Sequence, residues 1–257
     1  MLERYSRKLT ARSTALLLAL DNRLDRILQM WLLIAGLASA ARIAAMPHDV
    51  PANASSAAMS YMLLVVAPAA STLLALRWFK DGDRQPLPSM RLPLIGKWEQ
   101  LNLSQARRHR LYGTSGIMVS LLVGMMLNVP VRAIEYLVAM PPLPEPAPAW
   151  LSSLHFAMTF DVVLFGCLYM VAFVAALRRV PLFPRLLVAI WLADLAMQLF
   201  TASLVSSAGG VPPMVVSALH SMLEGNVKKV LISMALWLPY LLLSTRVNVT
   251  YRHRIPA

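Results

Sequence analysis

Long apolar runs separated by short basic segments constrain this chain more than any other feature of its sequence. A helix needs about 20 mainly apolar residues to cross about 30 Å of hydrocarbon. Six segments qualify, at about 27–46, 59–78, 113–131, 151–177, 186–206 and 227–244. They lack the alternation of a half-buried strand and the polar face of a soluble amphipathic helix. Only 14% of the residues are charged, against roughly a quarter in ordinary soluble domains, so there are too few to cover a soluble surface. The fold class that follows is an all-α polytopic membrane helix bundle of six transmembrane helices. The third segment ends ambiguously: "NVPVRAIEYLVAM" either continues it as a kinked helix or lies in the interface.

The distribution of Lys and Arg tests that count. Arg4, Arg7, Lys8, Arg12, Arg23 and Arg26 precede the first span. The end of the second span and the loop to the third carry Arg77, Lys80, Arg84, Arg91, Lys97, Arg107, Arg108 and Arg110; Arg178, Arg179 and Arg185 lie between the fourth and fifth, and Arg246, Arg252 and Arg254 after the sixth. With six spans all of these fall on one face, leaving Arg42, Arg132, Lys228 and Lys229 near the other. By the positive-inside rule both termini are cytoplasmic (N-in/C-in). The chain then divides into a basic N-terminal segment (1–26), a transmembrane domain (27–244) and a basic tail (245–257). Residues 14–28, "TALLLALDNRLDRIL", are expected to form an amphipathic helix on the inner membrane surface. The outer loop "PPLPEPAPAW" reads as a stiff polyproline-type connector.

The net charge of +12 does not indicate nucleic acid, because the basic residues flank apolar runs rather than forming an aromatic-interleaved patch. A single cysteine, Cys167, excludes an internal disulfide framework and multi-cysteine metal sites. The first apolar run follows six basic residues and is long enough to span, which argues against a cleaved secretory signal. Phosphate loops, zinc-protease motifs and serine nucleophile elbows are absent. The two three-helix halves share no repeat, which weakens an inverted-repeat transporter reading.

Ionisable residues inside a bilayer cost several kcal/mol unless paired or hydrated, and therefore mark candidate sites. Asp161 falls near the middle of the fourth span and Asp194 within the fifth. Gln198 and Thr201 follow Asp194 at i+4 and i+7, so the three make a polar stripe on one helical face. This stripe is either a proton or cation relay or a structural tie between helices. A second group gathers towards the outer face: Arg42, Arg132, Glu135, His155, Glu224, Lys228 and Lys229. Arg132–Glu135 and Glu224–Lys228 have the spacing of local ion pairs, and Arg42 is within reach of Asp161 or Glu135. This group is expected to be interfacial ion pairing, with an outward-facing polar cavity as the alternative. Gly116, Ser120, Gly124 and Asn128 recur every fourth residue and read as a helix-packing face.

Two enzyme-like readings have less support. An intramembrane aspartyl protease needs facing aspartates, commonly one in a Gly-x-Gly-Asp setting, whereas the contexts here are "MTFDVVLF" and "WLADLAMQ". His155 and His220 would have to ligate a b-type haem from helix ends. No cofactor is expected.

The sixth span carries Pro239 in its middle and ends in the basic tail. The stretch "WLPYLLLSTRVNVTY" resembles the C-terminal signature of the uncharacterised YdgK-like family of bacterial multi-pass inner-membrane proteins, through Trp237, Pro239, Tyr240, Ser244, Arg246, Val247, Thr250 and Tyr251. Typical members have about four spans, fewer than this chain. The resemblance implies a bacterial inner-membrane location and transfers no catalytic residue. Here the signature reads as a helix exit: Trp237 and Tyr240 at headgroup level, a kink at Pro239, Arg246 at the inner headgroups, and a tail meeting the anionic inner leaflet.

The leading expectation is a non-enzymatic accessory, scaffold or regulatory subunit of a membrane complex, with another membrane protein as partner. The alternative is a small transporter or ion- or proton-conducting protein using Asp161 and the Asp194/Gln198/Thr201 stripe. A membrane-embedded enzyme or haem protein ranks third.

Overall fold

The computed structural model describes residues 2–45, 54–88, 97–140, 143–144 and 146–257. The side chains of Arg4, Arg7 and Lys8 lie outside the described residues, as do Met46, Arg91 and the loop residues Pro141, Pro142 and Glu145. Six helices are long and apolar enough to cross a membrane. They are α1 (Leu2–Ala44), α2 (Ala54–Trp78), α4 (Met118–Ala139), α5 (Ala149–Leu177), α6 (Phe183–Ser207) and α7 (Pro213–Leu243). Two short helices, α3 (Leu103–Arg108) and α8 (Thr245–Arg252), and the strands β1 (Trp98–Gln100) and β2 (Arg254–Pro256) gather at one end.

Helix α5 is the centre of the bundle and packs against α2, α4 and α6. Its Phe165, Ala172, Phe173 and Val174 are wholly buried. Gly166 lets α2 come close, since a Cβ there would stand 3.1 Å from Pro68 Cγ. Helix α1 packs on α2 and α4, and Trp31 donates its indole N–H to the Val65 carbonyl at 2.9 Å. Helix α7 packs on α6 and leaves Ile232 and Leu236 exposed, as a lipid-facing surface would be.

Three boundaries differ from the sequence expectation. Helix α1 is continuous over 43 residues, so residues 14–28 extend the first span rather than forming a separate helix before it. No Pro or Gly interrupts positions 2–35, and at 1.5 Å per residue the helix is about 65 Å long, roughly twice the hydrocarbon thickness. Helix α4 begins at Met118 because Gly113 and Gly116 hold positive φ, and it runs on through Pro130 to Ala139. Helix α7 begins at Pro213, fourteen residues ahead of the expected start, which sets Glu224, Lys228 and Lys229 well inside it.

The expected packing face on α4 is not one. Ser120 and Gly124 are exposed, and nothing lies within 4 Å of a Cβ built on Gly124. Gly116 precedes the helix and lies against Arg246. The packed face is instead Met118, Leu122, Met125, Val129 and Ala133, because apolar side chains bury more area than the small ones.

The sequence did not anticipate that the tail is folded against the bundle. After Ser244 the chain turns into α8, whose residues Val247, Asn248, Val249, Thr250 and Tyr251 are buried. His253 adopts the left-handed conformation (φ 49°), and the chain reverses to pair β2 antiparallel with β1. Three signature residues, Arg246, Thr250 and Tyr251, make side-chain hydrogen bonds to other parts of the bundle. Tyr251 donates to the Ala176 carbonyl at 2.9 Å, and burial pushes its hydroxyl well above its ordinary pKa, so it stays a donor. Thr250 Oγ1 accepts from Gly113 N–H at 3.0 Å. Arg246, expected among lipid headgroups, reaches Ser115 Oγ at 2.7 Å and the Leu111 carbonyl at 3.3 Å. The Leu241 and Leu242 carbonyls, orphaned where α7 ends, accept from Arg252, and Leu242 also from Asn248. Trp237 and Tyr240 pack edge to face, 5.9 Å between ring centres.

This basic end of the bundle also brings Asp83 to Arg107 (2.7 Å) and Asp21 to Arg178 (3.4 Å). Gly82 sits where a Cβ would meet the Arg178 carbonyl at 2.6 Å and Val180 Cγ2 at 2.8 Å. Gly82→Ala should therefore destabilise by about 1–3 kcal/mol, because the backbone in the way cannot retreat. Gly124→Ala should be neutral or stabilise by up to about 1 kcal/mol, since it removes a helix-interior glycine into open space. Thermal unfolding of the two variants in the same detergent checks the contrast.

Candidate functional site

Asp161, on α5, and Asp194 and Gln198, on α6, meet around a residue that the sequence analysis placed elsewhere. Arg132 of α4 points inward between the two aspartates. Its Nη1 reaches Asp161 Oδ2 at 2.8 Å, its Nη2 pairs with Asp194 Oδ2, and its Nε donates to Asn128 Oδ1 at 3.0 Å. The guanidinium also lies 4.9 Å from the centre of the Phe165 ring and 5.9 Å from that of Tyr169. The local sequence explains the convergence. Asn128 and Arg132 are one turn apart on α4, and Asp161, Phe165 and Tyr169 repeat at i, i+4 and i+8 on one face of α5.

Amides and a phenol complete the network. Gln198 Nε2 donates to Asp194 Oδ1 at 3.2 Å and to Asp161 Oδ1 at 3.4 Å. Tyr169 donates to Asp194 Oδ2 at 3.4 Å. Asn226 of α7 donates to Gln198 Oε1 at 3.3 Å, bringing a fourth helix to the group. Asp194 is fully buried and Asp161 nearly so. Counted at 1.5 Å per residue from the basic end, Asp194, Arg132 and Asp161 stand about 17–24 Å along their helices, from near the middle of about 30 Å of hydrocarbon into its far half.

The network floors a cavity of about 480 Å³ whose walls come largely from α4 and α7. Val131, Ile134, Met222 and Val230 supply apolar wall, and Glu135 and Lys229 also line it. Lys229 pairs with Glu135 across the space between the helices. The fixed charges lining the cavity are three carboxylates and two cations, which leaves one negative charge unmatched. It belongs to the floor, where two carboxylates share one guanidinium.

The other expected residues are dispersed. Arg132 does not pair with Glu135. Arg42 lies beside Tyr61 rather than Asp161 or Glu135. Glu224 and Lys228 form the expected pair at 2.6 Å on the exposed side of α7. His155 is buried with Nε2 3.5 Å from the Tyr136 hydroxyl, whereas His220 is exposed, and neither lines the cavity. Thr201 is buried on the α6 stripe but also does not line it. The two aspartates are bridged by Arg132, which is not the arrangement of a protease dyad. Phe165, Tyr169 and Asn226 were not singled out from sequence. The i, i+4, i+8 spacing on α5 was the signal available for the first two, and nothing local marks Asn226. No protein-family model, curated protein or solved structure matches the chain.

Replacing Arg132 by Met should leave two carboxylates buried without their cation and destabilise the protein by about 3–5 kcal/mol. Adding Asp161→Asn and Asp194→Asn to Arg132→Met should recover most of that loss. A mutant cycle by chemical unfolding in detergent measures both.

Proposed function

We propose that this multi-pass membrane protein is a proton carrier, in which the Asp161–Arg132–Asp194 group takes up and releases one proton from the cavity between α4 and α7. The observation that carries this reading is the sharing of one buried guanidinium by two carboxylates at the cavity floor. With both acids ionised the group has a net charge of −1 in a medium that penalises isolated charge. One proton balances it, and the cavity offers a path for that proton. Tyr169 and Gln198 supply donors that suit either protonation state. Glu135 and Lys229 stand at the wall as rim charges.

The protein is proposed to lie in a bacterial cytoplasmic membrane with both termini inside. The clustering of 20 of the 24 basic residues on one side supports the orientation. The C-terminal likeness to YdgK-like proteins supports the location, and kinship with that family is part of the proposal.

A second reading, the non-enzymatic accessory subunit, draws support from α7. That helix packs on α6 over one side and exposes Met214, Ile232 and Leu236 over the other. A partner helix seated there would bury this face.

Proteoliposomes carrying a pH-sensitive dye distinguish the two. An imposed pH gradient should dissipate faster with the wild-type protein than in empty vesicles, and Asp194→Asn should return the rate to the empty-vesicle level. Equal rates for wild type and Asp194→Asn would sink the carrier reading and favour the accessory one.

A further inference from the structure

A second pocket, remote from the aspartates, lies at the basic end beside the first turn of α6. It has a volume of about 50 Å³, and Arg185, Arg252, Arg254 and Gln100 line it together with Pro184 and Tyr251. Three arginines from three separate elements, α6, α8 and β2, thus face one small space. Among the described residues that line it, none is a carboxylate.

Two of the three arginines contact neutral groups. Arg252 Nη1 donates to the Leu241 carbonyl at 2.9 Å and to Asn248 Oδ1 at 3.0 Å. Arg254 Nε donates to the same Asn248 Oδ1 at 2.9 Å, and its guanidinium lies 5.1 Å from the centre of the Trp98 ring. Burial, with Arg254 and Arg185 adding repulsion, pushes the Arg252 guanidinium down to about 10. The 25-residue helix α6 starts at Phe183, so the positive end of its dipole adds to the same field.

We infer that this pocket binds a phosphate group. Like charges held together at a cost in repulsion are relieved by an anion, and a guanidinium fork matches the oxygen geometry of phosphate. The pocket is small, which suits a single oxyanion held between the arginines. The pocket lies where α6 leaves the bundle at its basic end, the level of phospholipid headgroups if that end marks the membrane surface. The same chemistry admits free inorganic phosphate, and the test separates the two sources.

The full-length protein in detergent is incubated with phosphatidylglycerol or with a diacylglycerol of the same chains, and retained lipid is read by native mass spectrometry. In parallel, its unfolding temperature is measured in phosphate and in chloride at matched ionic strength. Selective retention of phosphatidylglycerol, weakened about tenfold in Arg185→Gln and unchanged in Arg110→Gln on the same face, establishes the headgroup as the source. Stabilisation by phosphate over chloride without lipid retention, and lost in Arg185→Gln, establishes the free ion. Arg185→Lys keeps the charge but loses the fork and should fall between wild type and Arg185→Gln. Absence of both effects in the wild type, or an Arg185→Gln protein that binds as well as wild type, overturns the inference.

Discussion

The structure depends on the pairing of Arg132 with two aspartates in the middle of the bundle. Each of these ions costs several kcal/mol to remove from water, and the cost is offset only when charge and hydrogen bonds are supplied on the spot. Arg132 brings two charge-assisted contacts, Asn128 takes its remaining Nε proton, and Gln198 and Tyr169 donate to the carboxylates. Because these groups come from α4, α5 and α6, the pairing locks three helices in register. Apolar packing alone would not do so in lipid, where side-chain burial has no water to escape from. Among the described residues, helix α7 joins the network through the neutral contact between Asn226 and Gln198. A second polar link, Lys229 with Glu135, runs from α7 to α4. The charged floor therefore belongs to α4, α5 and α6, while α7 closes the cavity by its packing on α6 and by these two polar contacts.

The basic end answers a different constraint. A long helix that stops at a membrane boundary leaves its last carbonyls without partners, and α7 stops at Leu243. The tail returns its own side chains to them, with Arg252 and Asn248 serving Leu241 and Leu242. The same turn carries Tyr251 to the end of α5 and Thr250 to the approach to α4. The short segment 245–252 thus ties together the ends of three spanning helices. Its arginines seal the bundle by their hydrogen bonds.

Much of this was legible in the sequence. Six apolar runs and the sparse charge point to six spanning helices, and Asp161, Asp194 and Gln198 were marked as a polar group because intramembrane acids are rare. What escaped is of two kinds. Helix ends shifted where local geometry, such as the positive φ of Gly113 and Gly116, outweighs hydropathy. Partners were misassigned where spacing along one helix suggested a neighbour and the fold supplied a better one. The four-residue rhythm of Gly116, Ser120, Gly124 and Asn128 has a helical period but no helix against Ser120 or Gly124. The close approach instead falls at Gly166, an isolated glycine in a run of large apolar residues.

Arg132 shows why spacing misled. Glu135, three residues on, is the neighbour that a soluble helix would give it, and such a pair is worth about 0.2–0.5 kcal/mol in water. Leaving Asp161 and Asp194 buried without a cation would cost several kcal/mol. The difference turns the guanidinium inward, and Glu135, which faces the more open side of α4, finds Lys229 instead. In a bilayer the partner of a charge is set first by which groups are driest. Asp194, with no solvent exposure at all, has first claim on the nearest cation.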